Sequence, residues 1–212
     1  WLDGRVEARR VHAGQRHSSL LLPMIDALLR EQGVALRELD AIAYGAGPGS
    51  FTGLRIACAV TQGLAFGAGL PVVGVSTLES IAEQAGAEQV LTVLDARMAE
   101  VYWAAYRRDG AGWRTVCAPQ LAVPDTVTVP GEGAWVGAGN GFAALADVLP
   151  PRLVSRLVRI DDTLVPDAAA MARLAVRALE RGAAVDAALA APLYLRDKVA
   201  LTVDERRARQ TA

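Results

Sequence analysis

Cysteine and histidine are almost missing from this chain: two of each stand among 212 residues. Cys58 falls in an apolar stretch and Cys117 in a later segment, so no disulfide framework is indicated and both read as core thiols of a protein in a reducing cytosol. His12 and His17 are five apart, which is not the spacing of a helical metal pair, and no cysteine or carboxylate cluster completes a site. Charge of one sign is lacking too. The formal net charge is -1, and the arginine pairs at 9–10, 107–108 and 206–207 are the longest basic runs, so the chain has no footprint for gripping nucleic acid by itself. No uninterrupted apolar run approaches membrane-spanning length, and no signal-peptide pattern opens the numbering. A G-x-S-x-G elbow is absent, which removes that presentation of a serine nucleophile.

What the chain does have is apolar mass, 52% hydrophobic residues, enough for one large or two small domains with a core. It also has a glycine-dense turn, Gly45 to Arg55, containing Gly47-Pro48-Gly49-Ser50-Phe51-Thr52-Gly53. The turn follows a short apolar strand (41–44) and opens into a small-residue helix (56–69), a strand–turn–helix unit of an α/β protein. Such a turn leaves backbone N–H groups uncovered for an anion. It equally makes a tight corner capped by Ser50 or Thr52. No Lys-Ser/Thr pair follows it and its glycine spacing is not that of a dinucleotide fingerprint.

Along the chain, Trp1 to Val6 reads as a hairpin turning at Asp3-Gly4 with a first arm of two residues, so the natural chain is expected to begin earlier. Residues 5–11 are then expected as a sheet strand. A first helix follows, capped by Ser18 or Ser19 and ended by Gly33, with Pro23 starting its regular part or kinking its first turn. Its apolar residues cover an arc of about 200°, twice the stripe a surface helix usually buries. The second helix is apolar nearly all round, which predicts burial on several sides. Residues 71–75 predict a strand parallel to the first, and Ser76-Thr77-Leu78-Glu79 has capping-box spacing for a helix to about residue 85. Strands are expected at 90–94 and 100–106, a pair that reads as the sheet of a second subdomain. Residues 110–133 read as turn-rich and strand-poor. A strand at 134–136 leads into Gly137-Ala138-Gly139-Asn140-Gly141 and a helix over 142–149, and the last helix spans 168–181 between Asp167 and Gly182.

Candidate chemistry is thin. Asp95 and Glu100 flank Arg97 around a turn, an arrangement that suits either a catalytic or Mg²⁺-binding carboxylate or a plain Asp-Arg turn lock. Gly137, Gly139 and Gly141 leave room for a nucleotide, although a glycine trio alone is weak evidence.

Four separated motifs nevertheless agree on one family. Gly47 to Arg55, Val75-Ser76-Thr77-Leu78, Leu94-Asp95-Ala96-Arg97-Met98-Ala99-Glu100-Val101-Tyr102 and Pro192-Leu193-Tyr194-Leu195-Arg196 resemble the bacterial TsaB proteins, in order, from Trp1 to about Arg206. The resemblance implies an actin-like, Hsp70-like and sugar-kinase-like (ASKHA) fold: two related α/β subdomains, 1–88 and 89–212, each a mixed sheet flanked by helices. It implies a cytoplasmic role in making threonylcarbamoyladenosine on tRNA. There the transferase is the paralogue TsaD, whose two metal-binding histidines correspond to Thr77 and Ile81 here; neither can be an imidazole ligand, so no metal and no cofactor is expected. The family subunit is non-catalytic. It pairs with TsaD through the first two helices, expected here to involve Leu20, Met24, Leu28, Ile56, Val60, Gly63 and Gly67, and the ATPase TsaE joins them. A homodimer through the same helices is also implied, with tRNA contacted only indirectly. The hairpin that carries a phosphate-contacting loop in this fold class is mostly outside the numbering. Two other readings remain: a small-molecule kinase or ATPase of the same fold with Asp95 as base, and the peptidase label sometimes attached to the wider family, which needs a metal or nucleophile not found here. The tail after Lys198 reads as a partner arm or a frayed end.

Overall fold

The computed structural model describes residues 1–12 and 14–196. Helix α1 (His17–Gln32) is followed by strand β1 (Ile42–Gly47), helix α2 (Phe51–Ala68), strand β2 (Val72–Ser76) and helix α3 (Thr77–Gln84). β1 and β2 pair in parallel, Ile42 opposite Val72 and Gly45 opposite Val75, as a crossover helix between them requires. This first sheet has two strands among the described residues. The second has five, in the order β5-β4-β3-β6-β7. Its members are β3 (Gln89–Asp95), β4 (Val101–Asp109), β5 (Gly112–Ala122), β6 (Trp135–Ala138) and β7 (Leu157–Asp161), with short helices α4 (Gly141–Ala144) and α5 (Pro151–Val154) between the last two. β3, β4 and β5 are antiparallel neighbours, whereas β3, β6 and β7 are parallel, so this sheet is mixed.

Both faces of the second sheet are covered, which is why β3 is apolar without alternation. Leu91 and Val93 pack on one side with Trp103, Trp135, Phe142 and Leu153. Val90 and Leu94 pack on the other with Leu78 and Ile81 of α3, and with Tyr106. The division expected after residue 88 falls in the turn between α3 and β3. The last helix, α6 (Ala168–Glu180), then returns to the first sheet, where Leu174 and Ala175 pack on Val73 and Val75. The chain after it runs along α2: Val185 bridges Val72, and Ala187 and Ala190 join Tyr44, Cys58 and Ala65.

Several expectations are corrected. Residues 110–133 are not strand-poor, because β5 is an eleven-residue strand. It lies at the sheet edge, and Pro119 falls between the Gln120–Trp103 and Cys117–Ala105 pairs, where the register with β4 shifts and a proline is tolerated. β7 was not anticipated at all. Residues 5–11 form no strand; only the turn at Asp3-Gly4 closes, by reciprocal backbone bonds between Leu2 and Arg5. α1 is capped by neither serine: it begins earlier, at His17, and Ser19 Oγ donates back to the Arg16 carbonyl at 2.9 Å. Pro23 sits inside it. The helix expected over 142–149 is a single turn, 141–144, followed by further turns. The proposed tail arm after Lys198 lies outside the described residues.

Candidate functional site

α2 begins where Ser50 Oγ accepts the Gly53 N–H at 3.3 Å, and it ends at Gly69 in the left-handed conformation. One stripe, Leu54, Cys58, Thr61 and Ala65, is buried against the first sheet and the chain beyond α6. The opposite stripe, Arg55, Ala59, Gly63, Phe66 and Gly67, is exposed. The polarity is inverted: Thr61 is buried while Phe66 is 85% exposed. Apart from the neighbouring residues and backbone of α2 itself, no described atom lies within 4 Å of where a side chain would start at Gly63 or Gly67. The expectation that α2 is covered on several sides is therefore corrected among the described residues, where one long face stays open.

α1 has no buried residue despite its leucines. Leu20, Leu21, Met24, Leu28 and Leu29 are each only half-buried, and Leu22 is exposed. Between α1, α2 and residues 8–11 lies a groove of about 730 Å³ that receives Leu20, Leu21, Met24, Ile56 and Ala57, with Pro166 and Asp167 at one end. Of the seven residues expected at a partner interface, Leu20, Met24 and Ile56 thus line this groove, Gly63 and Gly67 belong to the open stripe, and Val60 and Leu28 are half-buried.

Thr77 and Ile81 have structural partners. Thr77 Oγ1 donates to the Pro48 carbonyl at 2.5 Å, fastening the start of α3 to the glycine turn, whose Gly47-Pro48 peptide is cis. Ile81 is fully buried with Leu78, Val90 and Tyr106. Among the described residues, no group of three or more His, Cys, Asp or Glu side chains converges to hold a metal ion.

The glycine trio 137, 139 and 141 is packed rather than open. A Cβ at Gly137 would meet the Phe142 ring, one at Gly139 would lie 2.3 Å from the Val93 carbonyl oxygen, and one at Gly141 would strike the Val93 side chain. These glycines let the β6–α4 turn press on β3. At each of the three positions the space where a side chain would begin is taken by the protein itself.

A second cavity, about 500 Å³, separates the start of α2 from the β3–β4 turn. Asp95 Oδ1 accepts the Arg97 N–H at 2.7 Å and its Oδ2 pairs with Arg97 Nη1 at 3.1 Å, so the turn-lock alternative describes this carboxylate. Across the cavity the Arg55 guanidinium stacks 3.8 Å from the Phe51 ring centroid, and Arg55 Nε donates to the Tyr194 hydroxyl at 2.9 Å. Phe51, Arg55, Tyr194 and Arg196 stand in motifs seen in the sequence, but the pairings of Arg55 with Tyr194 and of Arg196 with Glu100 were not legible, because each joins residues more than ninety positions apart. Phe66 was detectable, as the one aromatic in the second half of an otherwise small-residue helix.

Away from these openings, Glu83 of α3 is enclosed by Trp113, Arg108, Arg173 and Arg177. Burial opposes its charge, but the Trp113 and Arg108 hydrogen bonds and the Arg177 charge outweigh it and hold the carboxyl below the usual glutamate range. One turn earlier, burial pushes Glu79 up, against the pull of Arg181.

Two α/β subdomains around these cavities, with α6 crossing back to the first sheet, define a member of the ASKHA class. The family model described as TsaD, tRNA N6-adenosine threonylcarbamoyltransferase, matches residues 11–202. The chain is 40% identical to the tRNA threonylcarbamoyladenosine biosynthesis protein TsaB of Escherichia coli, over 94% of this chain and 89% of that one. With TsaB of Haemophilus influenzae it shares 34% identity over 88% of this chain and 83% of the other. The solved structure of YeaZ from Pseudomonas aeruginosa superposes with a TM-score of 0.85 at 41% identity, covering 91% of both chains. The chain belongs to the TsaB family of tRNA threonylcarbamoyladenosine biosynthesis proteins. No described helix is long and apolar enough to cross a membrane.

Proposed function

We propose that this chain is the non-catalytic scaffold of a tRNA threonylcarbamoyladenosine-modifying complex, pairing with TsaD through α1 and α2 and bringing in TsaE, in the cytoplasm. The observation that carries the reading is the open stripe of α2, where Phe66 stands out beside Ala59, Gly63 and Gly67. A large aromatic next to a floor of small residues offers a partner helix both an anchor and close backbone approach. The half-buried leucines of α1 extend that surface. Thr77 and Ile81, engaged in a hydrogen bond and in the core, support a subunit that leaves metal chemistry to TsaD. The chain alone pairs with itself through the same helices, and tRNA meets the complex chiefly through the partner.

The test is the mass in solution of this chain, alone and mixed with the TsaD of the same organism, with Met24→Asp and Val60→Asp variants beside it. A heterodimer lost on placing either charge supports the reading. A chain that never pairs and hydrolyses ATP by itself sinks it in favour of the kinase-like alternative.

A further inference from the structure

Three consecutive residues other than glycine, Arg97, Met98 and Ala99, have φ of 63°, 58° and 57°. L-residues visit this left-handed region singly and at a cost, because Cβ crowds the following carbonyl, so a run of three persists only where surrounding contacts enforce it. The enforcing group comes from the far end of the chain. Arg196 Nη2 donates to the Ala96 carbonyl at 2.9 Å, to the Arg97 carbonyl at 3.4 Å and to Glu100 Oε2 at 2.6 Å, while Nη1 approaches Met98 Sδ at 3.0 Å. The Arg196 side chain is 14% exposed. Nη2 alone thus meets the carbonyls before and within the run and the carboxylate that ends it, while the planar fork carries Nη1 to the Met98 sulfur, a second reach that a single ammonium nitrogen lacks.

The segment that delivers Arg196 is itself fastened to the first subdomain. Cys58 Sγ and Gln62 Nε2 of α2 donate to the Ala190 carbonyl, at 3.3 and 3.0 Å. The Tyr44 hydroxyl exchanges hydrogen bonds with the Ala191 backbone, and Leu193 N–H donates to the Ala46 carbonyl at 2.7 Å. Tyr194 then accepts from Arg55, beside Phe51, at the first turn of α2. One extended strap therefore runs from the interior stripe of α2, past its N-terminus, into the β3–β4 turn.

We propose that residues 190–196 form a latch across the cavity between the subdomains, with Arg196 the positioning residue that holds the 97–99 turn and, through Tyr194 and Arg55, fixes the first turn of α2. The latch sets where α2 sits relative to the second sheet without any ligand. Its assignment stands on contacts within the chain and is independent of the pairing with TsaD.

Residue-resolved amide hydrogen exchange on the full chain tests it, with Arg196→Ala, Arg196→Lys and Tyr194→Phe. The Ala96, Arg97 and Glu100 amides report the turn, since they donate to Glu100 O, Asp95 Oδ1 and Arg97 O. Arg196→Ala is expected to speed their exchange by about tenfold or more, and that of the Gly53 and Leu54 amides as well, while Leu91 and Val93 in β3 keep their rates. Arg196→Lys should recover only part of the turn protection. Tyr194→Phe should loosen Gly53 and Leu54 and leave 96–100 protected. Unchanged exchange at 96–100 in Arg196→Ala overturns the latch, and so does a uniform increase that includes β3, which would mean general destabilisation. Tyr194→Phe leaving Gly53 and Leu54 unaltered would remove the coupling to α2.

Discussion

The indole N–H of Trp113 donates to Glu83 Oε2 at 2.8 Å, joining β5 to α3, and the same oxygen takes Arg108 Nη1 at 3.0 Å. The other oxygen faces Arg177 of α6 at 3.0 Å and Arg173 at 3.7 Å. The Glu83 side chain is 6% exposed, and its one carboxylate joins four elements from both subdomains. Replacing it by glutamine leaves the arginines crowded without a counter-charge. Glu83→Gln should cost about 3 kcal/mol at neutral pH, the lower end for a broken buried pair because the arginines keep partial contact with water. The folded-state pKa of Glu83 lies below its unfolded value, so its stabilisation is complete above the ordinary glutamate range and fades as pH falls through the lowered value. Urea unfolding across pH should show wild type and variant converging in acid.

Glu79, one turn away, has the opposite sign. Burial is the main cause of its raised pKa, and Glu83 adds to it, while Arg181 and Arg177 oppose. The folded state therefore favours the neutral acid, and ionising Glu79 as pH rises past the ordinary glutamate range removes stability. Glu79→Gln should raise the melting temperature at pH 7 and leave it unchanged in acid, below both pKa values. A variant less stable at pH 7 would contradict this.

Phe66 projects into solvent and contributes little to the folded chain. Phe66→Asp should alter unfolding free energy by no more than about 0.5 kcal/mol. If Phe66 is the anchor of the α2 face, the same change should weaken pairing with TsaD by about 30-fold or more, roughly 2 kcal/mol. Calorimetric titration against TsaD separates the two effects.

Gly139 is under a different constraint. Its φ is +115°, and a Cβ there would lie 2.3 Å from the Val93 carbonyl oxygen. Gly139→Ala should destabilise by about 3 kcal/mol, combining backbone strain with overpacking. The loss should appear in thermal unfolding with no nucleotide present, because the glycine serves the packing of β6 on β3.

What could be read from the sequence was whatever local chemistry decides. Ser50, Ser76 and Asp167 each cap the helix that follows them, and Gly33 and Gly69 end theirs, since a side-chain oxygen or a left-handed residue acts within one turn. β3 announced itself by an apolar run that only a doubly covered strand needs. β5 did not, because an edge strand such as Trp113-Arg114-Thr115-Val116 has one side in solvent and tolerates polar residues and Pro119. Residues 5–11 had the alternation of a strand, but a strand exists only with a partner to complete its ladder. For α1 and α2 the excess of apolar surface was legible, whereas its division between interior and exterior was not: Thr61 goes inside and Phe66 outside, against their polarity. The Arg196 contacts join residues about a hundred positions apart, and no local pattern encodes them.

The return of α6 and residues 185–193 to the first sheet also orders the events of synthesis. When the first two strands and α2 have left the ribosome, Val73 and Val75 have no α6 and the inner stripe of α2 has no Ala187 or Ala190. Until residues 185–193 are made, α2 therefore presents apolar surface on two opposite sides, one covered later by its own polypeptide and one left open among the described residues. Once residues 185–193 close over the first, α2 changes from a sticky, half-built helix into one with a single outward face among the described residues.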